Sequence, residues 1–288
     1  MSASCRDCAQ PTISSIAVTP KPLVLGFFNG VWNTEEQAQD GLASLKTLTG
    51  QDYLGTPIRY ENFYNQTGMN TSSTLLQDIA EVFIQRSAEL DGLLNNRFEH
   101  FWDLIAGRHG DPESLTGSFI SGLGSGASAL AGLLDAIFNA SLRQIAAGWA
   151  RMLADPPTES DIEAQLAKLR TLADDGASFA LVAHSQGNLF VNAAYDGVRR
   201  SHPDVHAGVI HIAPASPTLR GAYGLSDLDL VINGLRIQGV SSVPPSNLSI
   251  PFDKADASGH TLLGTYLVGA RGGRAKIKAM IDSVLGSL

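Results

Sequence analysis

Phe179-Ala180-Leu181-Val182-Ala183-His184-Ser185-Gln186-Gly187 is the stretch on which the reading of this chain turns. Its apolar run, Phe179 to Ala183, follows the polar turn Asp174-Asp175-Gly176 and reads as a strand buried on both faces. The pattern then changes to a helical one from about Gln186 to Arg199. A buried strand that turns at once into a helix is the building unit of a parallel α/β sheet.

The same alternation extends outward on both sides. Downstream, Val209-Ile210-His211-Ile212-Ala213 reads as the next strand, and helices are predicted from about Thr261 to Val268 and from Ala275 to Leu285. Upstream, Thr158-Glu159-Ser160-Asp161 opens a helix that turns Ile162, Leu166 and Leu169 inward. Closer to the N-terminus, Leu23 to Phe28 is a second buried strand, set between Pro20 and Pro22 on one side and Asn29-Gly30 on the other. Asn33 or Thr34 then caps a helix whose first turn carries Glu35 and Glu36. Ile58 to Tyr64 alternates as a further strand, ending at Asn65. Together these elements predict an α/β fold: a mostly parallel central sheet, helices on both faces, and right-handed crossovers.

Residues 72–155 carry no strand signal. Leu130, Leu133, Leu134, Ile137 and Phe138 repeat at helical spacing, and Leu142, Ile145 and Trp149 extend the stripe. The segment is expected to be an all-helical insertion, a cap or lid on a core made of residues 20–71 and 156–288, with residues 1–19 as a flexible tail. Ser114 to Leu134 holds no charged residue and is long enough to span a bilayer. Its many glycines and serines make it a poor transmembrane helix, and a small-residue segment over a pocket is the expectation.

Composition removes several function classes. The chain has 288 residues, 44% of them hydrophobic, too apolar for disorder to be its main state. A formal net charge of −8 leaves no general electrostatic reason to bind nucleic acid or an anionic membrane. Two cysteines exclude a disulfide scaffold. Those two, Cys5 and Cys8, lack the second pair a structural zinc needs and the preceding strand a thioredoxin-like site needs. Met1 to Thr12 carries Cys5, Arg6, Asp7 and Cys8 where a secretory signal requires an apolar run, so the expected location is cytoplasmic, or exported without a cleaved signal. No P-loop, dinucleotide glycine motif, HExxH or Cys/His cluster occurs, so neither metal nor cofactor is expected.

The chemistry points back to the opening stretch. In a tight strand-to-helix turn the central residue is held in a disfavoured backbone conformation. The residues two before and two after it must be small, and here they are Ala183 and Gly187. Ser185 is then presented at the carboxyl end of the sheet, with its Oγ expected to stand exposed and helix amides behind it that favour developing negative charge. A serine hydroxyl is a poor nucleophile at neutral pH and needs an adjacent base.

Ala183-His184-Ser185-Gln186-Gly187, between a strand and a helix, resembles the nucleophile elbow of the α/β-hydrolase superfamily, and more narrowly of its esterase and lipase-like members. Ala183 departs from the usual first glycine by one methyl group. The resemblance covers residues 20 to 65 and 176 to 288 and hardly touches the insertion. It implies the order nucleophile, acid, histidine along the chain. Of the histidines after Ser185, His202 and His206 lie in a polar loop and His211 lies inside an apolar strand. His260 sits in a late loop before the last helices, where the family places its base. For the acid the resemblance favours Asp229, in Ser226-Asp227-Leu228-Asp229-Leu230-Val231, with Asp227, Asp253 and Asp256 as alternatives. The oxyanion hole would use the amides of Gln186 and, in the turn Asn29-Gly30-Val31, of Val31.

The implied activity is a serine carboxylic-ester hydrolase working through an acyl-enzyme. The apolar stripes of the insertion point to a hydrophobic or lipidic ester as partner, with transient contact to a membrane surface as one mode of access. A phospholipase, a thioesterase and a non-catalytic binding protein on the same scaffold are the alternative readings.

Overall fold

The structure is a computed structural model that describes residues 21–30, 33–66, 159–234, 243–251, 256, 259–269 and 272–288. The expected tail 1–19, the insertion 72–155, Val31, Asp253, Cys5 and Cys8 lie outside the described residues.

Six strands form one sheet in the order β2-β3-β1-β4-β5-β6. They are β1 (Leu23–Phe28), β2 (Asp52–Tyr53), β3 (Thr56–Asn62), β4 (Ser178–His184), β5 (Ala207–Ile212) and β6 (Gly221–Gly224). Every pairing from β3 to β6 is parallel, and only the short β2 runs antiparallel against β3. The segments on either side of residues 72–155 therefore build a single sheet. Among the described residues the helices are α1 (Glu35–Thr49), α2 (Glu159–Asp174), α3 (Gly187–Ser201), a short α4 (Leu230–Gly234) and α5 (Gly272–Leu285).

Strand periodicity divides the core between the two faces. Leu23, Leu25 and Phe27 of β1, with Ala180 and Val182 of β4, pack against Leu42, Leu45 and Leu48 of α1 and Ile277, Met280 and Ile281 of α5. Val24 and Phe28, with Phe179, Leu181 and Ala183, meet Leu169 and Leu172 of α2 and Val191, Ala194 and Val198 of α3. Both faces are covered, which is why Leu23–Phe28 and Phe179–Ala183 are apolar without a break. Each buried Val, Leu, Ile, Phe or Met among them contributes about 1.5–3 kcal/mol by leaving water.

α1 begins with a capping box at Thr34: Gln37 N–H donates to Thr34 Oγ1 and Thr34 N–H to Gln37 Oε1. Sequence periodicity missed β2, β6 and α4. β6 reads Gly-Ala-Tyr-Gly, with none of the β-branched residues that mark a strand. The helix expected from Thr261 to Val268 is a single π-helical turn, Leu262–Tyr266, with Thr261 as its N-cap. Among the described residues no helix is long and apolar enough to cross a membrane.

The topology marks one place for a site. From β1 the chain leaves through α1 to β3 on one side, whereas β4 leads through α3 to β5 on the other, and α1 and α3 cover opposite faces. β1 and β4 are neighbours in register, Phe28 beside Ala183. A crevice opens at the carboxyl ends of two such strands, where the order reverses.

Candidate active site

Ser185 stands at the end of β4, at that reversal point, with a left-handed backbone at φ 55°. A non-glycine residue there costs about 1–2 kcal/mol, and the surroundings hold it in place. Its N–H donates to Ile212 O at 3.1 Å. Its carbonyl accepts from Asn188 N at 3.1 Å, Ala215 N at 3.3 Å and Asn188 Nδ2 at 2.8 Å. Gly187 explains the small residue two positions on: a Cβ there would lie 2.4 Å from Phe28 O and 2.5 Å from Asn29 O. The elbow is pressed directly onto the end of β1.

Asp229 lies just beyond β6, and His260 in the loop before the π-helical turn. Gly259 makes their approach feasible. Its φ is 60°, and a Cβ at this position would meet Leu228 O at 2.2 Å. Backbone without a side chain lets the histidine loop lie against the acid loop.

These placements bring three side chains into line. His260 Nε2 is 3.0 Å from Ser185 Oγ. His260 Nδ1 is 2.9 Å from Asp229 Oδ2 and 3.0 Å from Oδ1. The carboxylate only accepts, so Nδ1 carries the proton toward it and the Nε2 lone pair faces the serine hydroxyl. Asp229 is fully buried and accepts two further donors, Ile232 N at 2.9 Å and Tyr266 OH at 2.7 Å. Tyr266 in turn accepts from Ser226 N at 3.0 Å. Burial, and then the charge of Asp229, raise the Tyr266 hydroxyl well above the usual tyrosine value, so it stays a donor.

The other candidate residues take different places. Asp256 organises the histidine loop: its Oδ2 receives Thr261 N at 2.9 Å, Thr261 Oγ1 at 2.7 Å and Thr265 Oγ1 at 2.7 Å. Asp227 joins the sheet edge through its amide, which donates to Leu248 O. Gln186, fully buried, is the N-cap of α3 directly after the serine. His202 meets Asp174 at the surface, and His206 is exposed. His211, read as a packed strand residue, is buried but has both ring nitrogens engaged. Nδ1 is 2.7 Å from Asn188 Oδ1, and Nε2 accepts from Arg220 N at 2.9 Å.

One expectation is corrected. Ser185 does not stand exposed; it has 0% of its surface accessible. The turn after β1 closes on it, so that a Cβ on Gly30 would lie 2.9 Å from Ser185 Cβ, and His260 covers the hydroxyl.

Sequence reasoning also missed the clamp that shapes that turn. Asn65 N–H donates to Asn29 Oδ1 at 2.9 Å and Asn65 Nδ2 to Asn29 O at 2.8 Å. Asn29 Nδ2 returns bonds to Asn65 O at 3.2 Å and Gly30 O at 2.9 Å. Both asparagines are fully buried. The available signal was an asparagine at the end of the apolar run Leu23–Phe28 and another at the end of the alternating run Ile58 to Tyr64. No protein-family model, curated protein or solved structure matches this chain.

Proposed function

We propose that the chain is a serine carboxylic-ester hydrolase of the α/β-hydrolase type. The observation that carries this reading is the line Asp229–His260–Ser185, with 2.9 Å and 3.0 Å between successive partners, on a serine held at positive φ. Ser185 Oγ attacks the acyl carbonyl carbon while its proton passes to His260 Nε2. Asp229 keeps the ring oriented and balances the imidazolium. The tetrahedral intermediate collapses, the alcohol leaves with the proton from His260, and an acyl-serine remains. Water, deprotonated by the same histidine, then releases the acid and restores Ser185. The Gln186 amide at the head of α3 supplies one oxyanion donor, and the turn after Asn29-Gly30, through Val31, the second. The substrate proposed is a hydrophobic ester, in keeping with the apolar stripes of residues 72–155.

The test is hydrolysis of p-nitrophenyl esters of increasing acyl length, together with labelling by a fluorophosphonate, for wild type and Ser185→Ala. Turnover and labelling that vanish in the variant support the reading. Equal activity in both proteins removes Ser185 from the nucleophile's role.

A further inference from the structure

We infer that His184, the residue before the nucleophile, is a positioning residue that holds His260 by its main chain. The inference rests on the serine-hydrolase reading and names a part of its machinery that the triad does not contain.

His184 is 4% exposed, and its ring lies between three segments of the site. Its Nε2 is 2.9 Å from the backbone carbonyl oxygen of His260. A carbonyl only accepts, so Nε2 carries a proton and donates. This makes His184 unfit to be a second base at that nitrogen. The two imidazoles face each other at 4.9 Å between centroids with 34° between planes, and the Tyr266 ring meets His184 edge-on at 6.1 Å. On the far side, a Cβ on Gly30 would lie 3.0 Å from His184 Nδ1. One rigid side chain thus touches the turn after β1 and the loop of the base, and it sits on the same elbow as the nucleophile.

The arrangement solves a mechanical problem. Ser185 is fixed by β4 and α3, whereas His260 arrives on a loop distant in sequence. The side-chain bond between Asp229 and Nδ1 orients the imidazole but does not by itself fix the Cα of His260. A second bond, from the elbow to the His260 carbonyl, removes the shift of that Cα relative to Ser185. The same environment keeps His184 neutral: burial first, and then the neighbouring His260, push it down to about 3. A charged ring beside the base would oppose formation of the His260 imidazolium. A neutral donor holds the loop without that repulsion.

Two measurements test this on the intact protein. The first needs no variant. Ring nitrogen NMR of histidine-labelled wild type, with His184 and His260 assigned by substitution, should find His184 neutral with its proton on Nε2 at pH 7. The Nδ1 tautomer, or a charged ring, would overturn the inference whether or not Ser185 reacts. The second is the rate of fluorophosphonate labelling of Ser185. His184→Leu keeps an apolar side chain of similar bulk but no donor, and labelling should fall about 100-fold, the loss expected from about 1 Å of misplacement. His184→Gln carries an amide donor at the place of Nε2 and should recover most of that loss. Equal labelling of His184→Leu and wild type, or a folded His184→Gln as slow as His184→Leu, would refute the positioning role. Absence of labelling in wild type would instead count against the hydrolase reading, and the tautomer measurement would still judge His184.

Discussion

Gly187→Ala places one methyl group against the end of β1. Its carbon would sit 2.4 Å from Phe28 O and 2.5 Å from Asn29 O. Carbon–oxygen contacts settle near about 3.3 Å, so the elbow and the strand must separate by about 0.9 Å. Neither partner is a side chain that can rotate away; both are backbone, and Asn29 is tied to Asn65. Overpacking of this kind costs about 2 kcal/mol, or about 4–8 °C of Tm in a domain somewhat smaller than this. The same displacement moves Ser185 relative to the turn after β1, and labelling by a fluorophosphonate should slow about 100-fold. Gly197→Ala, on the same helix, is the control. The atoms nearest its Cβ would all belong to the Leu166 side chain, the closest two being the terminal methyls at 2.8 and 2.9 Å. Leu166 can turn aside, and alanine gains about 0.5–1 kcal/mol of helix preference, so its stability should stay within about 1 kcal/mol of wild type. Thermal unfolding and labelling rates of the two variants side by side decide the matter. Equal Tm and wild-type labelling for Gly187→Ala would refute the packing argument for the elbow.

Tyr266→Phe removes the donor to Asp229 and leaves the buried Ser226 N–H without its acceptor, so urea unfolding should show a loss of about 2–4 kcal/mol; a loss under about 0.5 kcal/mol would refute this role. Asn29→Asp turns a carboxylate oxygen toward the carbonyls of Gly30 and Asn65, where an amide now donates. It should therefore be less stable than Asn29→Ala, and the reverse order in urea would contradict the clamp. Stability should also fall with acid. His211, pushed down to about 4 by burial and then by Arg220, binds its proton more readily when unfolded. Its contribution is fully present above about pH 6.5 and is lost as pH falls toward 4, a change of about 3 kcal/mol. His184 acts in the same direction. Urea midpoints that stay level between pH 7.5 and 4.5 would argue against both buried neutral rings.

The sequence alone settled what depends on short-range pattern. Unbroken apolar runs at Leu23 to Phe28 and Phe179 to Ala183 demanded strands covered on both faces, and both exist where expected. The small residues around Ser185 pointed to a tight strand-to-helix turn, and at Gly187 the close backbone of Phe28 and Asn29 leaves no room for a side chain. Asp229 and His260 were named through the resemblance and its chain order; spacing left Asp227, Asp253 and Asp256 open. Only the tertiary structure placed Asp229 on His260 and Asp256 on Thr261 and Thr265, since both carboxylates sit in loops whose paths follow from strand order. The same holds for the Asn29–Asn65 clamp, the Tyr266 bond to Asp229 and the His184 bond to the His260 carbonyl. Each joins residues far apart in the chain, and hydrophobic periodicity carries no information about such partners. The burial of Ser185 is of this kind too. Local pattern predicts that a turn lifts its central residue off the sheet, but what then folds over that residue is decided by the rest of the molecule.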